Sequence, residues 1–111
     1  MGITPTPLPM KSSELISRVA DRIEAVLDAN RASQANPDAM SQLLAAAAEL
    51  KGSDPYASGK LVELIGKAQV FYGARSRFRL PGRAQGLWNE MHEGLLDRLR
   101  MRARVLASQG D

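Results

Sequence analysis

The sequence predicts an all-α domain, a small bundle of about four helices with a long C-terminal helix, expected to be dimeric. Three observations predict it. Apolar residues recur at three- and four-residue intervals in four separate stretches, the spacing of one helix face. Two of those stretches open on Asn-Pro or Asp-Pro, a cap followed by a residue whose φ is preset for the first helical position. The 111 residues are 44% hydrophobic but only 5% aromatic, so a single core must be built from alanine and leucine, and so thin a core gains from a second subunit.

Residues 1–11 read as a disordered Pro-rich tail, since Pro5, Pro7 and Pro9 at alternate positions block both helix and sheet. A single helical domain, 12–111, follows. Helix 1 is expected from Ser12 or Ser13, either able to cap, to about Ala32. Its apolar stripe is Leu15, Ile16, Val19, Ile23, Val26 and Leu27, and Glu14 can pair with Arg18 on the far side. Asn36-Pro37-Asp38 starts helix 2, expected to run to Lys51 and stop at Gly52. Asp54-Pro55 repeats the device for helix 3, expected to reach about Arg75 with Leu61, Leu64, Ile65, Ala68, Phe71 and Tyr72 on one face. On the opposite face Gly59, Gly66 and Gly73 alternate with Val62 and Val70, a smooth surface that predicts packing on both sides of helix 3.

Arg75 to Arg83 reads as a basic loop turning at Pro81-Gly82, and helix 4 is expected over Ala84–Ala107. Residues placed 100° apart set Trp88, Met91, His92, Leu95, Leu96, Leu99, Ala103 and Leu106 on one face. Leu87, Met101 and Val105 fall to one side, with Arg98 and Arg102 between the strips. That apolar arc is wider than one core requires, which marks the C-terminal helix as a dimer or partner surface. The expected interface is Leu87, Trp88, Met91, Leu95, Arg98, Met101, Arg102 and Val105, although burial within one subunit would account for Trp88 and Leu95 equally well.

Function is less legible than architecture. The absence of cysteine excludes disulfides, thiolate metal sites and cysteine nucleophiles, and fits a cytoplasmic location. The proline-spaced start is unlike a secretory signal, and the longest apolar run, Leu43 to Ala48, is too short to cross a membrane. One histidine, His92, cannot make a histidine metal site alone, and Ser58-Gly59-Lys60 lacks the spacing of a phosphate loop. No catalytic residue, cofactor or metal is therefore expected.

Residues 1–74 carry seven Lys/Arg against eight Asp/Glu, whereas residues 75–111 carry eight Arg against four Asp/Glu. Arginine without lysine suits bidentate contacts with carboxylate or phosphate, though codon usage in a high-GC genome would produce the same bias. The expected function is a non-enzymatic regulator, of a kind common among small bacterial helical proteins, that inhibits or escorts another protein. An antiactivator of a transcription factor, or a chaperone or adaptor, are the types in view. The alternative is a small nucleic-acid-binding protein using Arg75, Arg77, Phe78, Arg79 and Arg83, in which the aromatic stacks on a base and the arginines neutralise phosphates. A phage or secretion-system structural component is the third reading.

Overall fold

The structure, a computed structural model, describes residues 11–73 and 81–110. Its secondary structure is entirely helical: α1 (Ser12–Ala29), α2 (Pro37–Glu49), α3 (Pro55–Tyr72), α4 (Pro81–Asn89), a π-helical segment (Glu90–Leu95) and α5 (Leu96–Ser108). The last three run on without a break, because Asn89 and Leu96 both keep helical backbone angles, so the bundle has four helices. Of the expected tail, residues 1–11, all but Lys11 lie outside the described residues.

Ion pairs between neighbouring helices give the direction of each. Arg22 on α1 meets Glu49 on α2 at 2.8 Å, Lys67 on α3 meets Glu90 at 2.8 Å, and Arg100 on α5 reaches back to Asp21 on α1 at 2.7 Å. Asn36 at the start of α2 bonds Asn30 just past the end of α1, while Glu49 reaches further back along α1. His92 meets Asp28 while the later Arg100 meets the earlier Asp21, and Lys67 meets Glu90 while the later Arg102 meets the earlier Asp54, so the chain runs up, down, up and down. α1 packs most extensively on α5 and then on α2, while α3 closes the ring between α2 and the C-terminal helix. The buried interior contains Ile16, Ile23 and Leu27 of α1, Leu43 of α2, Leu64, Phe71 and Tyr72 of α3, and Met91, Leu96 and Leu99 of the C-terminal helix. Phe71 and Tyr72 supply its aromatic part, meeting edge to face at 4.7 Å between ring centroids.

Both cap-then-proline starts are present. The Asn36 side chain accepts from the Ala39 amide at 3.0 Å, and Asp54 accepts from the Ala57 amide at 3.0 Å. The end of α2 is also close to expectation, since Gly52 takes a positive φ of 82° just beyond it.

Other boundaries differ from the sequence reading. Lys11 occupies the cap position of α1 without a side-chain capping bond, and Ser12 and Ser13 are its first two helical residues. Glu14 and Arg18 do not form an ion pair with each other among the described residues; α1 spends its charges on neighbouring helices instead. The helix ends at Ala29, not Ala32, because Asn30 turns its amide back onto the Val26 carbonyl at 2.8 Å. Asn30 then joins the α1–α2 turn to α3. Its side chain accepts from Asn36 at 2.9 Å, and its carbonyl accepts from the Tyr72 hydroxyl at 2.6 Å. Burial pushes the Tyr72 hydroxyl up to about 12, which keeps it a proton donor. The turn in its own right caps α3: Ser33 donates to the Phe71 carbonyl and the Asn36 amide to the Tyr72 carbonyl, ending that helix at Tyr72, before Arg75. Pro81 and Gly82 open α4 and are not a turn ahead of it, in keeping with the tolerance of a first helical turn for proline.

The π segment is the largest departure. The Leu96 amide donates to the Met91 carbonyl, five residues back, which inserts one extra residue into the turn. Everything beyond is rotated by about 100° relative to an unbroken helix. Buried positions accordingly form two series offset by one residue: Trp88, Met91 and Leu95, then Leu96, Leu99, Ala103 and Leu106. The wide apolar arc read from a straight wheel is partly a product of this shift. Leu87 lies half-buried beside the core, while Met101 and Val105 turn outward.

Removing Gly94 should convert the π turn into an α turn and leave both series on one face. The variant is expected to fold cooperatively, with a thermal midpoint within about 5 °C of the parent. A non-cooperative melt would show that the extra residue is needed for the core itself.

Candidate partner-binding surface

Trp88, Met91 and Leu95, expected as interface anchors, belong to the core of the single protomer. The reason is that α4 and the π segment, which carry them, pack against α3. Their stripe faces inward, and Trp88 is covered from outside by His92, stacked at 4.3 Å and 14°, and by the Arg31 guanidinium 5.0 Å from the ring centroid. His92 is in turn held by Asp28, whose carboxylate lies 2.8 Å from Nε2. Trp88 Nε1 and His92 Nδ1 are buried and have no hydrogen-bond partner among the described residues.

The other expected interface residues do come together. Arg98, Met101, Arg102 and Val105 line one shallow cleft of about 200 Å³ on the outer side of α5, with Tyr56 of α3 as its far wall. Met101 is 54% exposed, Tyr56 45% and Val105 40%, so three apolar side chains face solvent within one patch. Tyr56 was not anticipated. Its signal in the sequence is an aromatic one residue past Asp54-Pro55 and off the buried stripe of α3.

Asp54 positions this surface. As the cap of α3 it fixes the turn that carries Tyr56, and its carboxylate receives Arg102 in a two-pronged contact, Nε to Oδ2 at 3.1 Å and Nη2 to Oδ1 at 3.0 Å. The Arg102 hydrogen bond, together with the Ala57 amide and the charge of the guanidinium, holds the Asp54 carboxyl below the ordinary aspartate range against an opposing effect of burial. The guanidinium so fixed sits 5.7 Å from the Tyr56 ring centroid, and Lys60 Nζ sits 5.4 Å from the same ring. Met101 and Val105 are thus framed by Arg98, exposed, and by Arg102, whose charge is shared with Asp54.

The basic surface of the C-terminal third is broken up where it is described. Arg100 is engaged by Asp21 and Glu24 of α1, and Arg102 by Asp54, which leaves Arg98 and Arg104 exposed. Arg83 is exposed near the start of α4. Arg75, Arg77, Phe78 and Arg79 lie outside the described residues.

A second apolar surface runs between α2 and α3. It is an open groove of about 610 Å³ whose walls include Leu44, Ala47, Ala48, Leu61, Val62 and Ile65. The glycine face expected to be packed on both sides is exposed in the protomer, with Val62 73% and Val70 54% accessible. Space lies open at the Cβ positions of Gly59 and Gly66.

Among the described residues no cluster of three or more His, Asp or Glu is placed to hold a metal ion, and no helix is long and apolar enough to cross a membrane. No known protein family, curated protein or solved structure matches the chain. The fold and its exposed surfaces therefore carry the functional reading.

Proposed function

We propose that the protein is a non-enzymatic regulator that binds another protein, inhibiting or escorting it as an antiactivator, chaperone or adaptor does, and that it acts in the cytoplasm as a homodimer. The observation that carries this reading is the Tyr56–Met101–Val105 patch with its arginine frame. Tyrosine, methionine and arginine are the side chains over-represented where proteins meet, and this patch exposes them on rigid helices rather than on loops. The frame favours an acidic partner, since Arg98 is exposed and can steer carboxylates while Arg102 is pre-positioned by Asp54. The histidine contributes to bundle packing through Asp28 and Trp88. A nucleic-acid role is less well supported, because Arg100 and Arg102 are already paired with carboxylates and so offer less charge to phosphates.

Affinity capture from the native cell extract, followed by titration of the purified partner, tests the proposal. Met101→Asp combined with Val105→Asp is expected to weaken binding at least tenfold with helicity unchanged, and Arg98→Glu to slow association. Undiminished binding by the double variant would remove the patch from consideration. Recovery of RNA or DNA, with affinity falling steeply in salt, would transfer the function to the nucleic-acid reading.

A further inference from the structure

We infer that the open groove between α2 and α3 is a binding site for a free long-chain alkyl carboxylate, a fatty acid whose chain lies along the trough and whose head meets Lys51. The site stands apart from the Tyr56–Met101–Val105 patch, and the inference does not depend on the protein-binding reading.

The groove exists because of what its walls lack. α2 presents only methyl groups at Ala47 and Ala48, opposite Leu61 and Ile65 of α3, and at Gly66 a Cβ would meet nothing within 4 Å. Glycine is among the poorest helix formers, so Gly66 weakens α3 and receives no packing within the protomer in return. The resulting trough of about 610 Å³ falls in the size range of small-molecule sites. Leu44 on the α2 side and Val62 on the α3 side are left exposed to water, and an apolar chain laid between them would cover both.

The two helices run antiparallel, so Lys51, Gly52 and Ser58 fall at one end of the groove, beside the α2–α3 turn, and Leu44 and Gln69 at the other. The stretch of α3 from Ser58 to Gln69 rises about 16 Å, a length that an extended dodecyl chain fills.

Charge selects the head group. Lys51 is the one charged residue among those lining the groove. The carboxylates nearest to it in sequence are both taken, Glu49 by Arg22 at 2.8 Å and Asp54 by Arg102 at 3.0 Å, and Lys51 makes no ion pair among the described residues. Ser58 commits its hydroxyl proton to the Leu50 carbonyl at 3.1 Å, which leaves the ammonium as the cationic donor at this end. An anionic head is attracted there and a cationic one repelled.

The same lining disfavours other occupants. An amphipathic helix brings charges along the flanks of its apolar face, and this groove offers them a single counter-charge at one end. Attachment to an anionic bilayer draws on a cluster of lysines and arginines, whereas the groove holds one lysine. An alkyl carboxylate needs only a continuous apolar floor and one cation.

Calorimetric titration of the full chain with laurate, kept below its critical micelle concentration, is expected to show one saturable site, with nitrogen-15 amide shifts centred on Ala47, Ala48 and Gly66. Octanoate, four methylenes shorter, should bind at least about tenfold more weakly. Lys51→Glu should weaken laurate at least about tenfold and strengthen dodecyltrimethylammonium, reversing the preference. Gly66→Leu fills the trough with a good helix former, so it should abolish laurate binding with helicity no lower than in the parent. Shifts centred elsewhere, equal affinity for the two head groups, or laurate binding undiminished by Gly66→Leu would overturn the site. Failure to bind laurate would overturn it too. A dimer dissociated by Gly66→Leu would then give the groove to a second copy, and retention on phosphatidylglycerol vesicles would give it to a membrane.

Discussion

Replacing Leu99 by alanine is expected to lower the unfolding free energy by about 2–5 kcal/mol, a large share of the roughly 5–15 kcal/mol available to a domain of this size. Leu99 is completely buried on α5, the element that packs most extensively against α1. Truncation removes apolar contact and leaves a cavity, because the core cluster it belongs to includes thin side chains such as Ala20 and Ala103 that have little with which to fill it. Urea titration of Leu99→Ala beside Met101→Ala provides the measurement. Two residues further on, Met101 is 54% exposed, and its truncation is expected to stay within about 0.5 kcal/mol. Equal losses from the two would mean that the helix beyond Glu90–Leu95 is not rotated as described.

Asp54→Ala carries the second-largest expected effect. It removes the cap of α3, costing about 1–2 kcal/mol, and strips Arg102 of its partner at the same time. For a domain of this size the cap alone corresponds to a fall of about 5–15 °C in the thermal midpoint. Asp54→Asn separates the two roles: it keeps a capping oxygen but gives up the charged contact, and should lose less. The same carboxylate makes stability depend on acid. Because its folded-state pKa is depressed, the native state holds fewer protons at this site than the unfolded chain across the interval between the two values. The contribution is complete above the ordinary aspartate range and is lost as pH falls through the folded value. Urea midpoints of the parent should therefore drop on acidification below about pH 4, with a shallower drop in Asp54→Asn. Identical slopes would show that the Arg102 contact contributes nothing to folding.

Much of the helical architecture was legible because its rules are local. Asn36-Pro37 and Asp54-Pro55 act within one turn, and both caps are where the sequence places them. The inward stripes of α1 and α3 follow from spacing alone. The end of α1 was misread since apolar spacing does not register that Asn30 prefers to bond the Val26 carbonyl, Asn36 and Tyr72. Of the interface residues named from sequence, Arg98, Met101, Arg102 and Val105 share one cleft, while Trp88, Met91 and Leu95 are interior. The π turn left no mark in the spacing, because regular helices here also bury adjacent pairs, Val26–Leu27 in α1 and Phe71–Tyr72 in α3, as the C-terminal helix does with Leu95–Leu96.

By itself, then, the sequence determined that the chain is helical, where α2 and α3 begin, and which side chains are apolar enough to need cover, since capping and periodicity operate over three or four residues. Only the tertiary structure decided which of them receive that cover. One inserted residue at Glu90–Leu95 turns the whole of α5, and the bond that sets the candidate surface joins Asp54 to Arg102 across 48 residues of chain, a separation at which no local rule operates.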